Sequence, residues 1–201
     1  MSREEEIRRH YQPRIAPHRD SHDVLDWASE TSQFVRFDVL LREVQLQGRS
    51  ILDVGCGLGD LWGYLQRREV YADYTGVDIL PEMVAEATRR HPGAQFACEN
   101  VFADPAPEHL RRDVVFCSGM FNLNLGNNLQ FVPGALRRFV QLADTHVVFN
   151  MLHHRTPEQP PRYFYYDPDR VLEILDALPC RARLVDDYLP NDFTVVCEIT
   201  R

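Results

Sequence analysis

Two carboxylates and three glycines frame the chemistry this chain is equipped to do. The stretch Asp53-Val54-Gly55-Cys56-Gly57-Leu58-Gly59 sets an acid near the end of a short apolar run, follows it with glycines at alternate positions, and resumes as a helix at Asp60. Glycines let a backbone take positive φ and come close to a ligand, and a new helix offers unpaired N–H groups to a polar or negative ligand end. The second acid closes the segment Tyr74-Thr75-Gly76-Val77-Asp78-Ile79, about 20 residues past the glycines, where ribose-binding acids stand in nucleotide folds. A dinucleotide site spaces its glycines G-x-G-x-x-G, whereas here they read G-x-G-x-G. A carboxylate at Asp53 would repel a pyrophosphate and attract a cation. The pair therefore asks for an amine or sulfonium at Asp53 and a ribose diol at Asp78.

S-adenosylmethionine (SAM) carries both groups, and at these residues the chain resembles the class I SAM-dependent methyltransferases. The resemblance covers residues 48–201 and implies SAM as cofactor, with Asp53, Gly55, Cys56, Gly57 and Gly59 around its methionine half and Asp78 on its ribose. Ile79 and Met83 would flank the adenine, with Asn100 and Val101 at its amino edge. Many relatives have an aspartate where this chain has Asn100, whose amide oxygen can accept the same hydrogen. Ser118 follows the fourth strand, where the family's catalytic motif lies beside the methyl group. The run Ser118-Gly119-Met120-Phe121 lacks the prolines of enzymes that methylate nucleic-acid bases, which counts against that activity.

The acceptor side is expected among Gln33, Arg36, Asn122, Tyr163 and Tyr166. Tyr163-Phe164-Tyr165-Tyr166 is too aromatic to be left wholly in water, and tyrosine hydroxyls give an apolar wall polar handles. His153, His154 and Tyr165 are the candidates for a general base. The bland alternatives remain beside each: a turn for Ser118 and Asn122, a helix cap for Asp78, surface histidines, and an anchoring Trp27.

The elements that must hold these residues follow from periodicity. The Ser2-Arg3-Glu4-Glu5 capping box starts a helix ending before Pro13, and residues 13–23 read as a loop. A helix over 31–44 puts Phe34, Phe37, Leu40, Leu41 and Val44 on one face, with Gly48 closing it. Strands then alternate with helices: strands at 51–54, 74–78, 95–98, 113–118 and 146–150, and helices at 60–68, 81–91, 133–143 and 168–178. The last two strands, 181–188 and 193–199, form a hairpin. The pattern predicts an α/β, doubly wound, mostly parallel seven-stranded sheet with helices on both faces and a C-terminal antiparallel hairpin strand. Residues 1–47 are expected to form a helical cap on the domain 48–201.

The 201 residues suit one domain with a full core. A formal net charge of −8 argues against general nucleic-acid binding, and every basic residue other than histidine is arginine. The five cysteines show no zinc-ligand spacing, so no metal is expected. The charged N-terminus has no apolar run of the signal-peptide kind, no segment approaches a membrane span, and a cytoplasmic location is expected. The sequence assigns no oligomeric state. The expected function is in-line methyl transfer to an oxygen, nitrogen or carboxylate of a small molecule. The rivals are an NAD-type oxidoreductase, a non-catalytic SAM-binding module, and a protein or RNA methyltransferase working with a partner subunit.

Overall fold

Ile51, Leu52 and Val54 sit on an interior strand of a seven-stranded sheet, buried from both sides. In this computed structural model, residues 2–15 and 20–200 are described, so Pro17 and His18 of the expected loop lie outside the described residues. The strands are β1 (Ser50–Val54), β2 (Asp73–Asp78), β3 (Gln95–Cys98), β4 (Arg112–Cys117), β5 (Ala143–Leu152), β6 (Cys180–Val185) and β7 (Asp192–Ile199). They are ordered β3-β2-β1-β4-β5-β7-β6. The first five run parallel, and β7 lies antiparallel between β5 and β6. The order reverses at β1, so β2 and β4 leave it in opposite directions. A crevice opens at such a switch point, beyond the carboxyl ends of the strands.

Helices cover both faces. One face carries α3 (Glu30–Glu43) and α4 (Asp60–Arg67), whose Phe37, Leu40, Leu61 and Leu65 close on Ile51, Val114 and Val148. The other carries α6 (Asn128–Leu142) and α7 (Pro168–Leu175), whose Leu136, Phe139 and Val171 close on Leu52, Val115 and Phe149. Each such side chain contributes about 1.5–3 kcal/mol on burial. A third cluster joins Val24, Leu58, Leu80 and Met83, with Ile7, Tyr11 and Leu25 against it. It attaches α1 (Arg3–Tyr11) and the short α2 (Ser21–Val24) to the start of α5 (Pro81–Arg90).

Local signals explain most helix starts. Ser2 and Glu5 close the expected capping box, Ser29 and Ser32 make a second one for α3, and Pro81 and Pro168 occupy first-turn positions. Four boundaries differ from expectation. Residues 12–14 form a 3-10 turn and 21–24 a helical turn, where a loop was read. α6 begins at Asn128 with Pro133 inside it; the carbonyl that Pro133 leaves without a donor belongs to Leu129, an exposed residue, where water can serve it. β5 is twice as long as expected because Arg112 of β4 pairs with it at Ala143 and β7 pairs with it up to Leu152. β6 stops at Val185, since Tyr188 turns inward to Asp192 and takes the chain out of the ladder.

Candidate active-site cleft

Asp53 reaches the carboxyl end of β1 with only 4% of its surface exposed, and it accepts the Tyr74 hydroxyl hydrogen at 2.8 Å from neighbouring β2. Burial pushes its carboxyl up to about 7, against the Tyr74 hydrogen bond and with the negative Asp78 and Asp60 adding to the rise. The glycine turn that follows is pinned to β2: Gly55 and Cys56 donate to the Val77 carbonyl at 2.8 and 3.0 Å. Gly57 donates to Asp78 Oδ2 at 3.1 Å, and Leu80 donates to Asp78 Oδ1 at 2.9 Å. Asp78 is thus half-buried and builds the glycine turn as well as capping the chain at Leu80. Burial raises its carboxyl despite these bonds. A carboxylate has about four lone-pair sites, so the two spent on backbone leave room for a ligand's hydroxyls.

Gly57 shows why the turn needs glycine. Its φ is +54°, and a β-carbon there would fall 2.8 Å from the Leu25 side chain. The N-terminal segment therefore lies directly on the turn. It does the same at the exit of β4, where a β-carbon on Gly119 would meet Trp27 at 2.8 Å.

Between these contacts lies a cleft of about 260 Å³ at the strand ends. On the β2–β3 side it is lined by Asp78, Ile79, Met83, Asn100 and Val101. There α1 contributes Ile7, Tyr11 and Arg3, whose guanidinium stacks on Phe131 at 3.8 Å and donates to Asn127 at 3.0 Å. On the β4 side it is lined by Trp27, Gln33, Asp60, Ser118 and Asn122. Asp26, at φ +62°, lines the cleft and ties the cap together. It accepts from Arg14 at 3.1 Å and from the Tyr163 hydroxyl at 2.7 Å, with His10 at 3.4 Å. Its carboxyl is held down by the Tyr163 bond and by Arg14, Arg162 and His10 against the cost of burial, while Tyr163 is raised to about 12 by burial and Asp26.

The cleft brings together Asp53, Gly55, Cys56, Gly57, Asp78, Ile79, Met83, Asn100, Val101, Ser118, Gln33, Asn122 and Tyr163 of the expected residues, and leaves the others out. Gly59 caps α4 away from the lining, its missing side chain leaving room for Phe96 and His91. Arg36 is buried on Asp192, with Nε at 3.0 Å, and stacks on Trp27 at 4.4 Å, so it holds α3 to β7 and supports the cleft wall from behind. Tyr166 points into the core, donating to the Phe121 carbonyl at 3.0 Å and accepting from Asn128 at 2.9 Å. Tyr165 is half-exposed outside the lining. His153 is buried beside Phe193 with Nδ1 accepting from Arg155 N–H, and His154 is exposed; neither lines the cleft. Asn100 also differs from expectation: its Oδ1 already accepts the Phe102 N–H at 2.9 Å.

Sequence reading missed Asp26, Asp60, Tyr11 and Arg3. Asp60 was visible only as the helix start, and nothing in the pattern of 1–30 signals which polar residues face the strand ends. Three polar atoms on the cleft wall, Gln33 Oε1, Ser118 Oγ and Asn122 Oδ1, are buried without a partner. Outside the cleft, Asp20, His22 and Asp23 bring potential ligand atoms within 4.8 Å of one another at the surface. No helix among the described residues is long and apolar enough to cross a membrane.

Comparison with known proteins agrees with this geometry. A methyltransferase-domain family matches residues 51–141, from β1 through α6. A trans-aconitate 2-methyltransferase of Afipia carboxidovorans is 32% identical over 130 residues, covering 59% of this chain and 45% of its own. The chain thus spans less than half the length of that curated relative. Among solved structures, magnesium protoporphyrin IX methyltransferase from Synechocystis PCC 6803, with bound SAM, superposes with a TM-score of 0.66 at 15% identity, covering 99% of this chain and 98% of that one. The cyclase SpnF superposes with a TM-score of 0.69 at 14% identity, covering 96% and 94%. At such identities the superpositions speak for the fold alone. The 3-2-1-4-5-7-6 sheet, the glycine turn between Asp53 and Asp78 and the match of residues 51–141 to a methyltransferase domain together support a class I SAM-dependent methyltransferase.

Proposed function

We propose that this chain binds SAM in the cleft and transfers its methyl group to a small-molecule acceptor, with residues 1–47 as the cap and 48–201 as the catalytic domain. One observation carries the proposal: Asp53 and Asp78 line a single cleft together with buried polar atoms that have no partner in the protein. The donor set fits SAM. A buried carboxylate at Asp53 suits a cationic ligand, the open lone pairs of Asp78 suit a ribose diol, and Ile79, Met83 and Val101 offer an apolar slot for a flat base. The same acids, with Glu99 beside them, disfavour the pyrophosphate of NAD.

Bound SAM supplies a methyl group already activated by its sulfonium, so the protein's work is alignment and exclusion of water. The glycine turn lets Val54 to Gly57 approach the ligand's backbone-like end. Leu25, Trp27 and Tyr11 roof the site, and Asp26 fixes the roof to Tyr163 across the cleft. Among the described residues no histidine lines the cleft, and the ionisable side chains in its lining are mostly carboxylates. A small-molecule acceptor is supported by the closed cap and the acidic lining, both poorly suited to a nucleic acid. Isothermal calorimetry tests the proposal: SAM and S-adenosylhomocysteine should bind and NADH should not. A folded protein that gives no heat with either SAM ligand would refute it.

A further inference from the structure

The acceptor half of the cleft, on the β4 side, is built from groups that accept hydrogen bonds. Gln33 is 97% buried, its side chain 3% exposed, and its Nε2 donates to Asp60 Oδ2 at 2.9 Å. A carboxylate can only accept, so this bond fixes the amide and leaves Oε1 of this lining residue buried without a partner. Asn122 Oδ1 and Ser118 Oγ are likewise buried without a partner in lining residues, where Trp27 closes on Gly119 between them. The cations around this half are committed elsewhere. Arg36 is on Asp192 and the Ser32 carbonyl, Arg14 is on Asp26, and Arg162 stacks on Tyr163 at 4.7 Å with Asp26 at 3.8 Å. Arg3, the one basic residue in the lining among the described residues, sits at the other end on Phe131.

We infer that the methyl acceptor is an amine, held by Gln33 Oε1 and Asp60 and methylated on nitrogen. This rests on the methyltransferase reading above and narrows it. A carboxylate acceptor such as trans-aconitate would meet Asp60 and unpartnered carbonyl oxygens, with no uncommitted guanidinium beside them among the described residues. An alcohol offers these acceptors a single O–H and no cationic nitrogen. An amine needs only to give its proton to water before attack. Its lone pair then forms the bond from nitrogen to carbon as the bond from carbon to sulfur breaks, the electron pair stays on sulfur, and the positive charge passes to the methylated nitrogen. That charge develops where Gln33 Oε1 and the Asp60 carboxylate can accept its N–H groups, so both stabilise the transition state more than the neutral ground state.

The test is calorimetric and uses the full chain. S-adenosylhomocysteine is titrated first, and then benzylamine, benzyl alcohol, benzoate and trans-aconitate are each titrated into the saturated protein. We expect benzylamine to bind at least about tenfold more tightly than the other three. Gln33→Ala should remove that advantage while the S-adenosylhomocysteine affinity stays within about twofold, and Asp60→Asn should weaken benzylamine in the same way if Gln33→Ala fails to fold. Equal affinities, no binding of benzylamine, or a preference for either carboxylate would overturn the inference. So would a Gln33→Ala loss shared by S-adenosylhomocysteine, since the pair would then serve the cofactor's own amino group. No heat with S-adenosylhomocysteine itself would instead sink the methyltransferase reading on which the inference stands.

Discussion

Asp78 joins two jobs that are separable by substitution. Its carboxylate takes the Gly57 and Leu80 N–H groups, and its remaining lone pairs are the proposed ribose contact. Hydrogen bonds to a charged group contribute roughly 1.5–3 kcal/mol each. Asp78→Ala should therefore lower thermal stability, because two half-buried N–H groups lose their acceptor, and should also weaken SAM binding by roughly ten- to a hundredfold. Asp78→Asn keeps one acceptor oxygen, so it should recover stability better than affinity. Calorimetry beside a thermal melt reads both; SAM affinity unchanged in Asp78→Asn would leave Asp78 as a turn-former alone. The cofactor half of the site was legible at this scale because a glycine turn between two acids is a local pattern. The acceptor half was not: Asp26 reaches Tyr163 across 137 positions of chain, and no short-range signal marks either partner.

At the scale of elements, the cap depends on a buried ion pair made by Arg36, a residue that the sequence placed on the acceptor side. Arg36 on α3 meets Asp192 at the start of β7, both almost wholly enclosed, and Asn150 and Tyr188 complete the carboxylate's shell. Burial raises the Asp192 carboxyl against the pull of Arg36 and its other partners. Removing one member of such a pair leaves an uncompensated buried charge and costs about 3–5 kcal/mol. Arg36→Met should therefore lose about that much in urea unfolding, and Arg36→Met with Asp192→Asn should regain a large part of it. The single variant should also shift the tryptophan emission, because Trp27 loses the guanidinium stacked on its ring. A loss below about 1 kcal/mol would show the pair to be solvent-screened. Periodicity revealed α3 and its apolar face but could not say that Arg36 belongs to the interior, because its partner lies 156 positions away. The same limit explains β5, which is lengthened at its start by the pairing of Ala143 with Arg112 of β4 and at its end by pairing with β7 up to Leu152.

For the whole molecule, the buried acid at the switch point couples folding, ligand charge and pH. Asp53 is raised from its ordinary 3.8 to about 7. An acid whose folded pKa is raised binds more protons folded than unfolded between those values, so its contribution is fully present below about 4 and lost as pH rises through about 7. Histidines with depressed values, His10, His91, His146 and His153, act in the opposite sense below their ordinary 6.5. The Asp53 contribution is therefore isolated by subtraction. The stability of the wild type relative to Asp53→Asn should fall as pH rises from about 4 to about 7, because asparagine stays neutral throughout and the histidines cancel. A cationic ligand reverses the sign, since it favours the ionised carboxylate. The thermal shift produced by saturating SAM should grow over the same interval in the wild type and stay flatter in Asp53→Asn. Parallel profiles for the two proteins, without and with SAM, would show that Asp53 keeps one ionisation state across the range and does not report on the ligand's charge.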